Sequence, residues 1–386
     1  MSRPRVLVWK YGQGEEILDG STTHPDERVL ARLTSFATVM VSTPTLVGER
    51  ELNGRVLLRK LPSLMWLRPL LQLSRFVAGV RFRPSIVVGM GSGHDLFTVA
   101  LIARIRRSRM ICCVMGDYIP RGILGHLSVV NRFHASLFTS DRVTAILTNN
   151  DAARARLIAA GIPASKTIRF KYELHENRVT RGSRDPSSFT IIFAGRFVRE
   201  KGIFDLIRAL REVLSTTQDT RVLLAGSGPL EMVLRRELKA WERHDRVTFL
   251  GWIPRNTLLG MYRSADLLVL PTYSEGLVLV VAESLSNGVP VVAYRTGGIP
   301  DLVRHEVNGL LVERGDVEGF VRAITRLHKD RGFLRKLSLN CHDTVRDYSS
   351  LGVPTFDSLL LSLIGDSPPA GGSKPSSVDS RSENAG

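Results

Sequence analysis

The chain alternates short apolar runs with helix-like segments, breaks at a polar stretch, and then begins the same alternation again. This doubled rhythm constrains the fold more than any other feature. Residues 5–10 (RVLVWK), 86–88, 110–114 and 142–147 read as buried strands. Between them, Leu96–Ile105 has a helical pattern. DAARARLIAAG is an alanine-rich helix with Asn150 as its cap and Gly161 as its stop. HENRVTRGSRDPSS (His175–Ser188) is polar, carries Gly and Pro, and has no period, as a linker would. The second series follows. Its strands are Phe189–Ala194, Val222–Ala225, Val247–Leu250, Leu267–Leu270 and Val291–Ala293. Its helices are Gly202–Leu214, one beginning near Pro229, and Leu277–Ser286, which Asn287-Gly288 ends. Strand–helix–strand repeats build parallel sheets covered on both faces. The expectation is an α/β protein with two Rossmann-like, doubly wound parallel-sheet domains facing a cleft. The boundaries fall at 1–174 and 189–345, with the linker at 175–188. A C-terminal helix at 346–365 is expected to cross back to the first domain, and the Ser/Pro/Gly-rich tail 366–386 to be disordered.

Length and composition agree with two domains: 386 residues, 43% hydrophobic and 23% charged, which excludes a largely disordered chain. No apolar run reaches the ~18 residues of a membrane-spanning helix. The N-terminus passes straight from a basic tip to a strand and shows no secretory signal. Cys112, Cys113 and Cys341 are too few for a disulfide framework. A cytoplasmic protein is expected.

The formal charge is +16, and it is unevenly placed. Gly54–Ser140 holds thirteen Lys/Arg against Asp95 and Asp117, which is +11 of the total. Such a field draws polyanions: nucleic acid, anionic lipid headgroups or phosphorylated ligands. Within it, Arg59–Pro84 places Leu70, Leu73, Val77 and Val80 at helical spacing, with Phe76 beside them and Arg68, Arg75, Arg81 and Arg83 around them. Two readings stand side by side: a core-facing helix with a solvated basic face, and a helix lying in a membrane interface.

Ligands of open parallel sheets bind beyond the carboxyl ends of the strands. The residues found there are chemically suggestive. Strand IIFAG runs into Arg196-Phe197-Val198-Arg199-Glu200-Lys201-Gly202, two cations around a helix N-terminus whose free N–H groups favour anions. A solvated charged loop would look the same. Gly226-Ser227-Gly228-Pro229 follows the next strand, where the glycines either let backbone approach a ligand or simply turn the chain. PTYSEGLVLVVAESLSNGVPVVA carries Glu275 after a strand and Glu283 eight residues on, just over two helical turns, so both can face one cleft. Two carboxylates accept hydrogen bonds from vicinal hydroxyls, as a sugar and a ribose would offer them. The N–H groups of Gly276, Leu277 and Val278 open that helix towards a phosphate. In the first half, Gly12-Gln13-Gly14 follows the first strand, and His94 sits in the GSGHD loop after the second.

Residues 190–325 resemble the C-terminal domain of the family 4 glycosyltransferases of GT-B fold. The matching blocks are FAGRFVREKGIFDLIRAL, LLAGSGPL, VTFLGWIP, SADLLVLPTYSEGLVLVVAESLSNGVPVVAYRTGGIPDLV and NGLLV, with the family's E-x7-E signature at Glu275 and Glu283. The resemblance implies a nucleotide-sugar donor, UDP- or GDP-linked, and transfer to a hydroxyl acceptor with retention of configuration. It gives Arg196 and Lys201 the donor diphosphate, Glu275 the sugar hydroxyls, and Glu283 the ribose. The backbone of Gly276, Leu277 and Val278 touches sugar and phosphate, Gly14 joins the donor site, and Gly251–Ile253 lies near the base. No metal and no cofactor is expected. The N-terminal half resembles the family less. CCVMGD places Met115 where the family has a histidine, and His94 is the candidate to replace it. The basic first half suggests an acceptor held at a membrane, such as a lipid-linked saccharide, with the protein peripheral to an anionic inner membrane face. Three rival readings remain: an inactive glycosyltransferase-like binding subunit, motivated by Met115; a nucleic-acid-binding protein, motivated by the charge though no such motif is present; and a sugar-nucleotide epimerase of related architecture.

Overall fold

The computed structural model describes residues 4–10, 33, 37–42, 50–52, 56–58, 68–90, 93–114, 138–159, 161–171, 187–274 and 279–365. The expected linker, apart from Ser187 and Ser188, and the expected tail lie outside these residues.

The first sheet comprises β1 (Arg5–Lys10), β2 (Thr38–Ser42), β3 (Arg50–Leu52), β4 (Val56–Leu58), β5 (Ile86–Met90), β6 (Arg109–Val114), β7 (Val143–Thr148) and β8 (Thr167–Arg169). Their spatial order is β3-β4-β2-β1-β5-β6-β7-β8. All neighbours are parallel except β3, which runs antiparallel to β4 at the edge. Helix α1 (Arg68–Phe82) leads into β5, α2 (Gly93–Arg106) links β5 to β6, and α3 (Asp151–Ala159) follows β7. The α3 start is set as the sequence indicates: Asn150 Oδ1 accepts the Ala153 N–H at 2.7 Å, and Gly161 takes φ +90° beyond the end.

The second sheet comprises β9 (Phe189–Ala194), β10 (Thr220–Ala225), β11 (Val247–Gly251), β12 (Leu267–Leu270), β13 (Val291–Tyr294) and β14 (Gly309–Val312), in the order β11-β10-β9-β12-β13-β14, all parallel. β12, β13 and β14 are buried at every position, as strands covered on both faces must be. The connecting helices are α4 (Ile203–Thr216), α5 (Glu231–Glu242), α6 (Arg255–Ser264), α7 (Leu279–Ser286), α8 (Ile299–Leu302), α9 (Val317–Lys329) and α10 (Arg331–Ser350). α4 shows why they pack: Ile203, Leu206, Ile207, Leu210, Val213 and Leu214 fall on one stripe and are buried. Relabelled from its first strand, this order is 3-2-1-4-5-6, the doubly wound dinucleotide-binding order, with its switch point between β9 and β12. The first sheet repeats the pattern, with its switch point between β1 and β5.

The chain then returns. α10 lies in the second core through Leu334, Leu337, Cys341, Val345 and Tyr348. After Leu351–Thr355 the last helix, α11 (Phe356–Gly365), packs into the first domain against Val6, Val8, Ile111 and Phe170. Thr355 bridges to Lys171, and the Phe170 and Phe356 rings meet at 4.9 Å.

The α1 stripe differs from its expected orientation. Phe76 and Val80 do pack towards the core, but Leu73 and Val77 point outward, and Arg75 is buried instead. The spacing of Leu73, Val77 and Val80 is helical, yet four-residue steps carry Leu73 and Val77 to the side opposite Gly79 and Phe82, which meet the sheet. Among the described residues no helix is long and apolar enough to cross a membrane.

Candidate active site

The second switch point brings together the strand ends that carry the candidate residues. β9 ends at Ala194, and β12, its neighbour, ends at Leu270. The loop after β9 holds exposed Arg196, a single 3-10 turn Arg199–Lys201, and Gly202, which opens α4 in the left-handed region at φ +68°. A Cβ at Gly202 would stand 1.7 Å from the Pro271 carbonyl oxygen, so glycine lets this loop touch the one after β12. The contact is hydrogen-bonded. The Glu200 carbonyl accepts the Tyr273 N–H at 2.9 Å and the Thr272 hydroxyl at 3.1 Å. Further along, Asp205 Oδ2 accepts from the Tyr273 hydroxyl at 2.7 Å and from the Tyr294 hydroxyl at 2.9 Å. The segment leading to Glu275 is thereby fastened to the segment carrying Lys201. Glu275, Gly276, Leu277 and Val278 themselves lie outside the described residues, as do Gly14 and Met115.

Asp205 stands in the first turn of α4, where a carboxylate complements the helix dipole. Its negative charge raises both tyrosines. For Tyr273 the hydrogen bond to Asp205 is the largest cause, and for Tyr294 burial is, followed by the same bond. Both phenols stay protonated and keep donating.

The loop after β10 resolves the role of its glycines. Gly226 adopts φ +138°, and a Cβ there would meet the Gly195 carbonyl oxygen at 1.9 Å. Phe197 N–H donates to the Ser227 carbonyl at 2.8 Å, and Leu230 N–H to the Phe197 carbonyl at 3.0 Å. The glycines let the β9 and β10 loops interlock. Backbone packing, rather than an opening for a ligand, accounts for them.

Glu283 is buried in α7, and its Oε1 accepts from Arg255 Nε at 2.6 Å. Burial pushes the Glu283 carboxyl up, and the arginine partly reverses this. Beside the pair, the Tyr262 hydroxyl is wholly buried with no hydrogen-bond partner; burial is the main reason its pKa rises, with Glu283 adding to it. Arg255 and Asp205 were not singled out by sequence reasoning. A signal for Arg255 exists: it opens a helix just after Pro254 and strand β11, where a cation opposes the helix dipole and so needs an acid nearby. Trp252, between β11 and α6, is 62% exposed in the segment expected near a base.

In the first domain, His94 is in the opening turn of α2 rather than in a loop, because the helix begins at Gly93, ahead of the expected Leu96. It follows β5 at that sheet's switch point. The two carboxyl edges meet: Arg169, ending β8, reaches across to Asp301 of α8, beyond β13, at 3.1 Å, and also pairs with Asp151 beyond β7. The sheets thus face one another across a cleft.

The family model described as "Glycosyl transferases group 1" matches residues 178–344, which include the whole second sheet. An uncharacterized glycosyltransferase of Methanocaldococcus jannaschii is 31% identical over 204 residues, covering 52% of each chain. A sulfoquinovosyl transferase of Arabidopsis thaliana is 28% identical, covering 76% of this chain and 60% of its own. The chain thus spans little more than half the length of these two relatives. A lipopolysaccharide core biosynthesis glycosyltransferase of Rhizobium meliloti is 27% identical, covering 79% of this chain and 88% of its own. Among solved structures, Anabaena HepE in complex with UDP and glucose superposes with a TM-score of 0.66 at 16% identity, covering 95% of this chain and 99% of that one. Sucrose-phosphate synthase from Thermosynechococcus elongatus gives 0.68 at 18%, covering 94% and 97%. The fold is GT-B.

Proposed function

We propose that this protein is a retaining glycosyltransferase of the family 4 type, which moves a sugar from a UDP- or GDP-linked donor to a hydroxyl acceptor. The observation that carries this reading is the fastening of the Arg196–Lys201 loop to the Thr272–Ser274 segment at a switch point, in a region that matches the group 1 glycosyl transferase model. The complexes of HepE with UDP and glucose support a nucleotide-sugar donor. Arg196, Lys201 and the N-terminal end of α7, with the backbone of Gly276, Leu277 and Val278, take the diphosphate. Glu275 takes the sugar hydroxyls and Glu283 the ribose. Trp252 stands beside the base. Gly14 joins the donor site from the first half of the chain, and His94, in the opening turn of α2, serves the acceptor side.

The donor brings its own leaving group. The acceptor oxygen bonds to the anomeric carbon as the carbon–oxygen bond to the diphosphate breaks, and the acceptor proton passes to a departing phosphate oxygen. Two cations and a helix N-terminus stabilise the charge that develops there, so these residues can do the work without a metal. Relatives named as enzymes favour activity over an inactive binding subunit. The Rhizobium relative's place in lipopolysaccharide core synthesis supports a lipid-linked saccharide as acceptor, with the protein peripheral to a membrane.

Thermal unfolding of the full chain with UDP, GDP and their sugar conjugates tests the donor site. A bound nucleotide raises the melting temperature as ln(1 + [L]/Kd). The shift is expected for one base, and to vanish in Arg196→Ala and Lys201→Ala. No shift with any nucleotide, or an equal shift in both variants, overturns the reading.

A further inference from the structure

Among the described residues, the outward side of α1 and α2 is unlike the rest of the first domain's surface. Both helices cover the same side of the first sheet, sharing one core with Leu7, Val87, Met110 and Cys112. They are packed closely: a Cβ on Gly79 would come within 2.8 Å of Ile102 Cδ1, and Arg106 Nε donates to the Val80 carbonyl. Two helices laid side by side on a sheet present their outer stripes as one surface. On α1 that stripe is Leu73, Val77 and Arg81; on α2 it is Leu101, Arg104 and Ile105. The four apolar side chains are 58%, 37%, 38% and 50% exposed in the order Leu73, Val77, Leu101, Ile105. Arg81, Arg83, Arg104 and Arg107 are exposed at the end of the surface where both helices finish. α1 contains no acidic residue, and the one acid of α2, Asp95, lies in its first turn at the other end.

We propose that this face docks on an anionic lipid bilayer, with Leu73, Val77, Leu101 and Ile105 entering the headgroup–acyl boundary and the arginines meeting lipid phosphates. Exposed aliphatic chains lose nothing by facing acyl tails, and a cluster of arginines without acids is attracted by a negative leaflet. Aliphatic residues offer a nucleic acid no stacking surface, which sets RNA and DNA behind lipid. The buried Arg75 fits the same picture. The helix has turned a cation inward and leucine and valine outward, the reverse of what water alone selects. α2 begins at the carboxyl edge of β5 and runs away from it, so one end of the face borders the cleft. A lipid-linked acceptor would enter from the side. The proposal rests on the transferase reading for that role of the acceptor, but not for the docking itself.

The test is co-sedimentation of the full chain with vesicles of phosphatidylcholine alone or mixed with phosphatidylglycerol. Binding is expected to the mixed vesicles, weakening with salt. Arg81→Gln with Arg104→Gln should lower the partition coefficient roughly 25-fold, at about fivefold per arginine. Leu73→Ser with Leu101→Ser and Ile105→Ser should lower it at least about tenfold. All these positions are exposed, and the variants should keep the nucleotide-induced melting shift, which reports the fold. The proposal is overturned if the wild type ignores mixed vesicles, or if both variants bind as it does. It is equally overturned if the substitutions instead dissolve a dimer or abolish binding to an oligonucleotide. Vesicle binding without any nucleotide shift sinks the donor reading alone, and a nucleotide shift without vesicle binding sinks this one alone.

Discussion

Asp205 joins three elements through one oxygen, and its removal should be felt both in stability and in catalysis. Tyr294 is fully buried, whereas Tyr273 is partly open to water. A hydrogen bond to a charged acceptor contributes about 1.5–3 kcal/mol when buried, and less where water can replace it. Tyr294→Phe should therefore cost about 2 kcal/mol and Tyr273→Phe about 1 kcal/mol or less. Asp205→Ala loses both bonds, strands the Tyr294 hydroxyl in the core, and removes a favourable charge from the first turn of α4. Its cost should be about 3–4 kcal/mol. The effects share one acceptor, so they should not add, and a double-mutant cycle between Asp205→Ala and Tyr273→Phe should show coupling. Urea unfolding midpoints measure these values. The functional half is separate. Tyr273→Phe keeps the fold but loosens the segment before Glu275, so kcat/KM for the donor should fall about fivefold to tenfold, which corresponds to about 1 kcal/mol of transition-state binding. Unchanged kcat/KM in Tyr273→Phe, alongside the expected stability loss in Asp205→Ala, would show that the fastening is structural only.

Three further outcomes follow from the same geometry. Gly202→Ala sets a Cβ against the Pro271 carbonyl and forces an unfavourable backbone, so it should cost about 3 kcal/mol or more in urea unfolding. Glu283 has its folded pKa raised above 4.5, so the folded state holds its proton longer than the unfolded chain and stability should fall as pH rises above 4.5. Melting temperatures across pH should show that decline in the wild type and a smaller one in Glu283→Gln, which should also lose affinity for the nucleotide. Arg169→Met breaks the ion pair to Asp301, whose side chains are 19% and 22% exposed, and leaves two carboxylates without their cation. It should cost about 2–3 kcal/mol and widen the distribution of interdomain distances seen by small-angle scattering.

Much of this arrangement is legible before any coordinates. The strand–helix alternation places the sheets, because a buried parallel strand is a run of apolar residues and little else looks like it. β1, β6, β7 and the five expected strands of the second half emerge within a residue or two of their sequence boundaries. β2, β3, β4, β8 and β14 escape notice: three of them have only three residues, too few to show a period. The orientation of α1 escapes for a different reason. Leu73 and Val77 satisfy the same spacing rule as a core stripe, and only the packing of Gly79 against Ile102 decides which side faces in. At the site, Arg196, Lys201 and Glu283 stand out by charge at strand ends and helix starts. Arg255 and Asp205 do not, since their meaning lies in partners 28 and 68 to 89 residues away.

A site split between two domains must be kept together. The second domain holds most of the proposed donor residues, and the first holds the proposed acceptor side and the helices proposed to face lipid. Among the described residues, two kinds of contact join them. The first is apolar: the chain leaves the second domain at Leu351, bridges to Lys171 at Thr355, and α11 buries Phe356, Leu360 and Ile364 in the first core. Undoing it would return three large apolar side chains to water, at about 1.5–3 kcal/mol each. The Arg169–Asp301 pair is different, being a polar contact between the carboxyl edges, with Asp301 raised by burial and Arg169 pulling the other way. An apolar tie and a polar contact between the facing edges are the two parts a hinge with a catch requires. A first domain held flat on a bilayer would then leave the second domain as the part that moves, carrying its donor onto an acceptor already in place.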